Sequence, residues 1–81
     1  MEKAVGKVTR YFSRIGVAVV DLAAPVALGD EIIFRKGTDE VSQVLDSMQI
    51  DNQSLESAKA GDSVGIETHE PVKVGAEVLK K

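Results

Sequence analysis

Turn-forming residues interrupt this chain so often that only short elements fit between them. Ser13-Arg14-Ile15-Gly16, Ala23-Ala24-Pro25, Leu28-Gly29-Asp30-Glu31 and Arg35-Lys36-Gly37-Thr38-Asp39 punctuate the first half. Ala60-Gly61-Asp62-Ser63, Glu70-Pro71 and Val74-Gly75 punctuate the second. Gly supplies backbone angles that other residues avoid, Pro cannot donate to a ladder, and Asp accepts bonds from nearby backbone N–H groups. Turn signals about 8–12 residues apart are the pattern of an all-β sandwich or barrel.

The intervals have strand composition. Residues 5–12 carry Val, Thr, Tyr and Phe, which suit a half-buried pleated surface. Residues 17–22 (Val-Ala-Val-Val-Asp-Leu) are nearly continuously apolar, as in a strand buried on both faces. Ile32-Ile33-Phe34, residues 64–68 and Glu77-Val78-Leu79 complete the clear set. Gly65 marks a bulge or a close backbone approach. Residues 51–59 read as a loop with a short strand around 54–56, or as one helical turn. Residues 40–49 conflict: Val41, Val44, Leu45 and Met48 fall at i, i+3, i+4 and i+7, a helical stripe.

With 81 residues the chain is one domain, residues 1–81, without repeat or linker. No Cys means no disulfide framework and no thiolate metal site. No apolar run approaches the roughly 20 residues that span a bilayer. Residues 1–7 lack the apolar stretch of a signal peptide, so a cytoplasmic location is the expectation. The net charge of -3 gives no overall attraction to nucleic acid, so such binding needs a local patch.

Catalytic chemistry is not legible. The lone His69 lies between a strand and Pro71, beside Glu67 and Glu70, in no recognisable zinc spacing, and reads as an exposed loop residue. The serines lack a nucleophile-elbow context, and no phosphate-cradling Gly-x-x-x-x-Gly-Lys-Ser/Thr segment is present. The expectation is no enzyme, no catalytic residue, no metal, no cofactor and no nucleotide. The positive signal is basic: Lys3, Lys7, Arg10 and Arg14 cluster in the first hairpin with Tyr11 and Phe12 interleaved, and Arg35 and Lys36 sit at another hairpin tip. Strand alternation puts Lys7, Thr9 and Tyr11 on one face, and Gly6, Val8, Arg10 and Phe12 on the other. An outward Tyr11 beside Lys7 would be compatible with stacking on a nucleotide, although a solvated surface is the simpler reading. A protein-docking alternative falls on the uncharged connection carrying Pro25, Val26 and Leu28.

The order of the turns resembles the second domain of translation elongation factor Tu. Leu28-Gly29-Asp30-Glu31-Ile32 is similar to its x-G-D-E-V corner, and residues 58–66 (Ala-Lys-Ala-Gly-Asp-Ser-Val-Gly-Ile) to its A-x-A-G-D-x-V-G-I segment. Residues 72–79 resemble its closing x-x-x-G-x-V-L, and residues 5–8 and 15–20 its first hairpin. Residues 44–49, ending Ser47-Met48-Gln49, are similar to a central strand, and the resemblance turns residues 40–49 from helix to strand. It implies a single closed antiparallel β-barrel of six or seven strands, of the translation-factor type. Gly29, Asp30, Gly61, Asp62, Gly65 and Gly75 become structural turn positions. The implied function is a stand-alone elongation factor-like module without GTPase activity. Its expected partner is ribosomal or transfer RNA or a translation protein, with Lys7, Arg10, Tyr11, Arg14, Arg35 and Lys36 as candidate contacts. Collagenase-like peptidases carry a similar C-terminal barrel, so the alternative is an accessory docking barrel on such an enzyme.

Overall fold

The computed structural model describes residues 3–81. Ten strands follow in order: β1 (Lys3–Phe12), β2 (Val17–Leu22), β3 (Val26–Ala27), β4 (Glu31–Lys36) and β5 (Asp39–Val44), then β6 (Met48–Ile50), β7 (Gln53–Ser54), β8 (Ser57–Ala58), β9 (Ser63–Glu67) and β10 (Glu77–Lys80). Eight form one antiparallel sheet in the order β5-β4-β10-β1-β2-β9-β6-β7, and β3 pairs with β8 separately. The all-β antiparallel architecture is therefore as the turn pattern implies.

Local chemistry explains the corners. The β4–β5 hairpin has a two-residue loop, Gly37-Thr38, with Gly37 at φ 60°, the first central position of a type II′ turn. The β6–β7 hairpin turns on Asp51 (φ 51°) and Asn52 (φ 64°), the two left-handed residues of a type I′ turn. At Ala27-Leu28-Gly29-Asp30 and Lys59-Ala60-Gly61-Asp62 the fourth N–H donates to the first carbonyl at 3.1 Å in each case, with Gly29 at φ 96° and Gly61 at φ 94°. Each is a turn that needs a left-handed third residue. In each, the Asp carboxylate also accepts from the first residue's N–H: Ala27 to Asp30 Oδ2 at 2.8 Å, and Lys59 to Asp62 Oδ2 at 3.1 Å.

One core fills the concave side of the large sheet. Val5 and Val8 (β1), Ala18 and Val20 (β2), Ile32 and Phe34 (β4), Val64 and Ile66 (β9) and Val78 (β10) are buried in it with Leu45 and Met48. Two bulges in β1 change which residues join them. The register slips between Ala4 and Gly6 against β10, and between Val8 and Arg10 against β2. Each bulge adds one residue and resets the alternation. The inward set is Val5, Val8 and Tyr11, three apart rather than two. Tyr11 thus packs against the core opposite Ala18, and the outward Tyr11 read from simple alternation is corrected.

The closed barrel is corrected as well. The ladder runs from β5 to β7 and no ladder joins its two ends. The sheet nonetheless curls strongly, because Gln43 of β5, first in the order, touches Glu67 of β9, sixth in the order. The strand expected over residues 40–49 is extended but broken. Residues 45–47 leave the ladder, where Leu45 exchanges backbone bonds with Asp30 (Leu45 N–H donating, 2.8 Å) and Gly29 (Leu45 C=O accepting, 2.8 Å). The chain therefore enters β6 beside β9 instead of continuing along β4. The helical stripe reflects this break: Leu45 and Met48 are both buried, but on either side of a bend.

Gln43 is the one buried polar residue among the described residues, 6% exposed. Its Nε2 donates to the Glu67 carbonyl at 3.0 Å, and its Oε1 accepts from the His69 N–H at 2.8 Å. The amide thus joins the open seam where a backbone ladder would run in a closed barrel. Residues 68–74 lie along that seam and are tied down mainly by side chains. Lys73 Nζ donates to Asp39 Oδ2 at 2.7 Å, Lys36 Nζ to the Val74 carbonyl at 2.6 Å, and His69 Nε2 lies 2.9 Å from Asp46 Oδ2. The His69 imidazole is half exposed, so replacing it with Ala should change the urea midpoint by less than the equivalent of about 0.5 kcal/mol. A larger loss would show that the ring, not only the backbone N–H, holds the seam.

Candidate functional site

The six basic and aromatic candidates do not form one surface. Lys7 stands between two acids in the ladder, opposite Asp21 on β2 and Glu77 on β10. Arg35 lies opposite both Glu77 and Glu40, with Arg35 Nε donating to Glu40 Oε2 at 2.6 Å. One row around the outer face therefore reads Glu40, Arg35, Glu77, Lys7, Asp21, Ser63, with the charge alternating from strand to strand up to Asp21. Ser63 Oγ closes it with a bond to Asp21 Oδ1 at 2.5 Å. Opposite charges facing across strands stabilise the sheet and cancel the field that a phosphate backbone would need. Lys36 is engaged by the Val74 carbonyl, Tyr11 is turned inward, and Arg10 and Arg14 remain exposed near the β1–β2 hairpin.

Beside the open seam, Phe34, Val41, Pro71, Val72 and Ala76 line a cleft of about 220 Å³, with Lys36, Asp39, Glu40 and Lys73 at its rim. The Asp39–Lys73 bond spans this rim. The Lys73 hydrogen bond, then its charge, hold the Asp39 carboxyl below the usual carboxylate range, and Asp39 in turn raises the Lys73 ammonium above its ordinary value. A depressed carboxyl stabilises the fold above its unfolded pKa, and that contribution is lost as pH falls through the folded value. A raised ammonium stabilises below its unfolded pKa and loses that contribution as pH rises through the folded value. Both groups are fully exposed, so solvent screens the gain. Replacing Lys73 with Met should move the Asp39 carboxyl titration, followed by NMR, to higher pH. An unmoved titration would mean that the pair does not persist in solution.

No group of three or more metal-ligating side chains occurs among the described residues. No helix among them is long and apolar enough to cross a membrane.

The feature that sequence reasoning missed is apolar. Phe12 (45% exposed) and Ile15 (65% exposed) project from the β1–β2 hairpin. They line a groove of about 450 Å³ with Val17, Val19 and Gly65, and the polar Gln49, Asp51, Asn52 and Ser63 share its lining. Its floor is the outer face of β2 and β9, where Val19 stands opposite Gly65. A Cβ on Gly65 would lie 3.1 Å from Val17 Cγ1, so glycine there lets Val17 lie flat. The signal was available in Phe12 and Ile15 flanking a turn, but ordinary strand alternation does not say that Phe12 faces outward beside Val17 and Val19. In the connection weighed for docking, Val26 is 3% exposed and faces the core, while Pro25 and Leu28 remain exposed.

No family model matches the chain. It is 35% identical over 75 residues to an uncharacterized protease of Methanocaldococcus jannaschii. That match covers 91% of this chain, and the chain spans 18% of the relative's length. Among solved structures it is similar to the C-terminal domain of a Geobacillus thermoleovorans protein assigned to the U32 peptidases. The TM-score is 0.89 at 21% identity, covering 98% of this chain and 92% of that one. The selenomethionine form of the same domain superposes with a TM-score of 0.81 at 18% identity, covering 98% and 99% of the two chains. The fold is thus that of a U32 peptidase C-terminal domain.

These likenesses correct the elongation-factor resemblance and the RNA-binding role drawn from it. The Gly-Asp turns that carried the resemblance are corners any small β domain can use. The alternating charges along the outer face agree with the correction, since they leave no continuous basic surface.

Proposed function

We propose that this chain is a non-catalytic accessory domain of a U32-type peptidase, docking on the larger catalytic polypeptide. The reading is supported by the match between nearly the whole of this chain and a minor part of a protease chain. It is the collagenase-like peptidase alternative reached from the sequence. The site chemistry fits it: the one histidine is half exposed and faces a single carboxylate, which supplies neither a nucleophile nor a metal set. What the chain offers instead is a groove with exposed apolar side chains, the feature of surfaces that associate.

The test is incubation of the purified chain alone with an unfolded polypeptide, following new amino termini. No cleavage above the enzyme-free blank is expected. Hydrolysis that persists through purification and disappears on unfolding the chain would overturn the reading.

A further inference from the structure

The outer face of the sheet divides into two unlike halves. One carries the row of alternating charges from Glu40 to Asp21, in which Arg35 bonds Glu40 and Lys7 stands between Asp21 and Glu77. The other carries Phe12, Ile15, Val17 and Val19 beside Gly65, with the polar Gln49, Asp51, Asn52 and Ser63 along its edge. The second half gains by leaving water, because Phe12, Ile15, Val17 and Val19 are apolar and at least partly exposed.

We infer that the groove between the β1–β2 hairpin and the β6–β7 turn is the surface on which this chain docks against the body of a U32-type peptidase. The inference rests on the accessory-domain reading and adds the place of contact. The occupant follows from chain length and chain direction. In the Methanocaldococcus relative the matched segment is 18% of the polypeptide, so the greater part lies outside this fold. In the Geobacillus protein the domain is C-terminal, so the body there precedes the first strand. Lys3 opens β1 beside Lys80 of β10, and Phe12 closes it nine residues further on. At roughly 3.3 Å per residue the groove lies about 30 Å from the point of chain entry. A body several times the size of the domain can reach that far along one side.

The surroundings of the groove define the partner's chemistry. Arg10 in β1 and Arg14 in the β1–β2 hairpin lie on the hairpin side, as does Glu67, opposite Val17 at the start of β2; Asp51 lies in the β6–β7 turn. The complementary surface is an apolar ridge with a polar edge, carrying an acidic group over Arg14 and a basic group over Asp51.

The experiment compares the free chain with a chimera in which it replaces the matched 75 residues of the Methanocaldococcus protein. Hydrogen exchange is read at residues 13–16 and 51–52, the two loops flanking the groove. Both should slow at least tenfold in the chimera, while Gly37-Thr38 and residues 69–74 exchange as in the free chain. Ile15→Asp should return both loops to the free-chain rate without moving the free chain's urea midpoint. Val74→Asp, at an exposed apolar residue outside the groove, should leave the protection intact. Protection appearing instead at residues 37–38 or 69–74 would overturn this surface and leave the accessory-domain reading standing. Absence of protection anywhere would overturn both. Concentration-dependent protection of the two loops in the free chain would make a second copy the occupant and overturn the inference. A chimera that precipitates while the free chain folds also counts against it, since a matched groove would be covered.

Discussion

Replacing Gln43 with Leu should lower stability by about 2–4 kcal/mol, the combined cost of leaving two polar backbone groups without partners. The substitution keeps volume and adds apolar surface, so burial alone would make it neutral or favourable. The loss comes from the Glu67 carbonyl and the His69 N–H, which both rely on the Gln43 amide. A chain of this length holds roughly 4–12 kcal/mol in all, so the variant would approach the edge of stable folding. The urea midpoint measures the loss. Exchange at the His69 amide should accelerate more than exchange in β1 and β2, because the seam opens before the sheet does. An unchanged midpoint would mean that water satisfies both groups and that the seam is not held by Gln43.

Gly6→Val should cost about 3 kcal/mol, at the upper end of the range for forcing atoms into packed space. Gly6 lies in β1 between two bulges. A Cβ there would stand 2.6 Å from the Asp21 carbonyl oxygen and 2.8 Å from Val20 Cγ1. The first contact is backbone and cannot swing aside, so β1 and β2 would have to part at the centre of the sheet. Gly29 and Gly61 are constrained differently: nothing crowds a Cβ, but their φ angles of 96° and 94° strain any L side chain. Ala at either should cost about 1 kcal/mol from the backbone alone. Equal urea midpoints for Gly6→Val and Gly61→Ala would show that β2 moves away from Gly6 freely.

The antiparallel β architecture is legible because its corners are chemical. Gly and Asp mark the turns at residues 27–30 and 59–62, and apolar runs such as residues 17–20 fill the spaces between. Three other features are set by tertiary geometry. The β1 bulges turn Tyr11 inward and Phe12 outward, and nothing between Val8 and Arg10 announces an extra residue in the ladder. The break at Leu45 sends one apparent strand into two places, driven by backbone bonds to Asp30 and Gly29 far upstream. Gln43 reads as an ordinary polar strand residue until the curl of the sheet brings Glu67 and His69 to it. The charges mislead for a related reason. Lys7 in the first hairpin and Arg35 at another hairpin tip read as basic candidates in one dimension, yet each faces acids on both sides in the sheet. The groove escapes notice because its parts come from β1, β2, β6 and β9.

Whether this domain serves by docking on a larger polypeptide is read most directly by scanning calorimetry of the free chain and of the chimera. A docked domain gains the contact energy when folded and loses it when unfolded. For a domain of this size, each 1 kcal/mol of contact raises the midpoint by about 4–8 °C. With docking, the transition of this chain moves up by at least that much in the chimera, and Ile15→Asp returns it to the free-chain temperature. A chimera in which this chain still unfolds at its own free temperature, independent of the body, would contradict it.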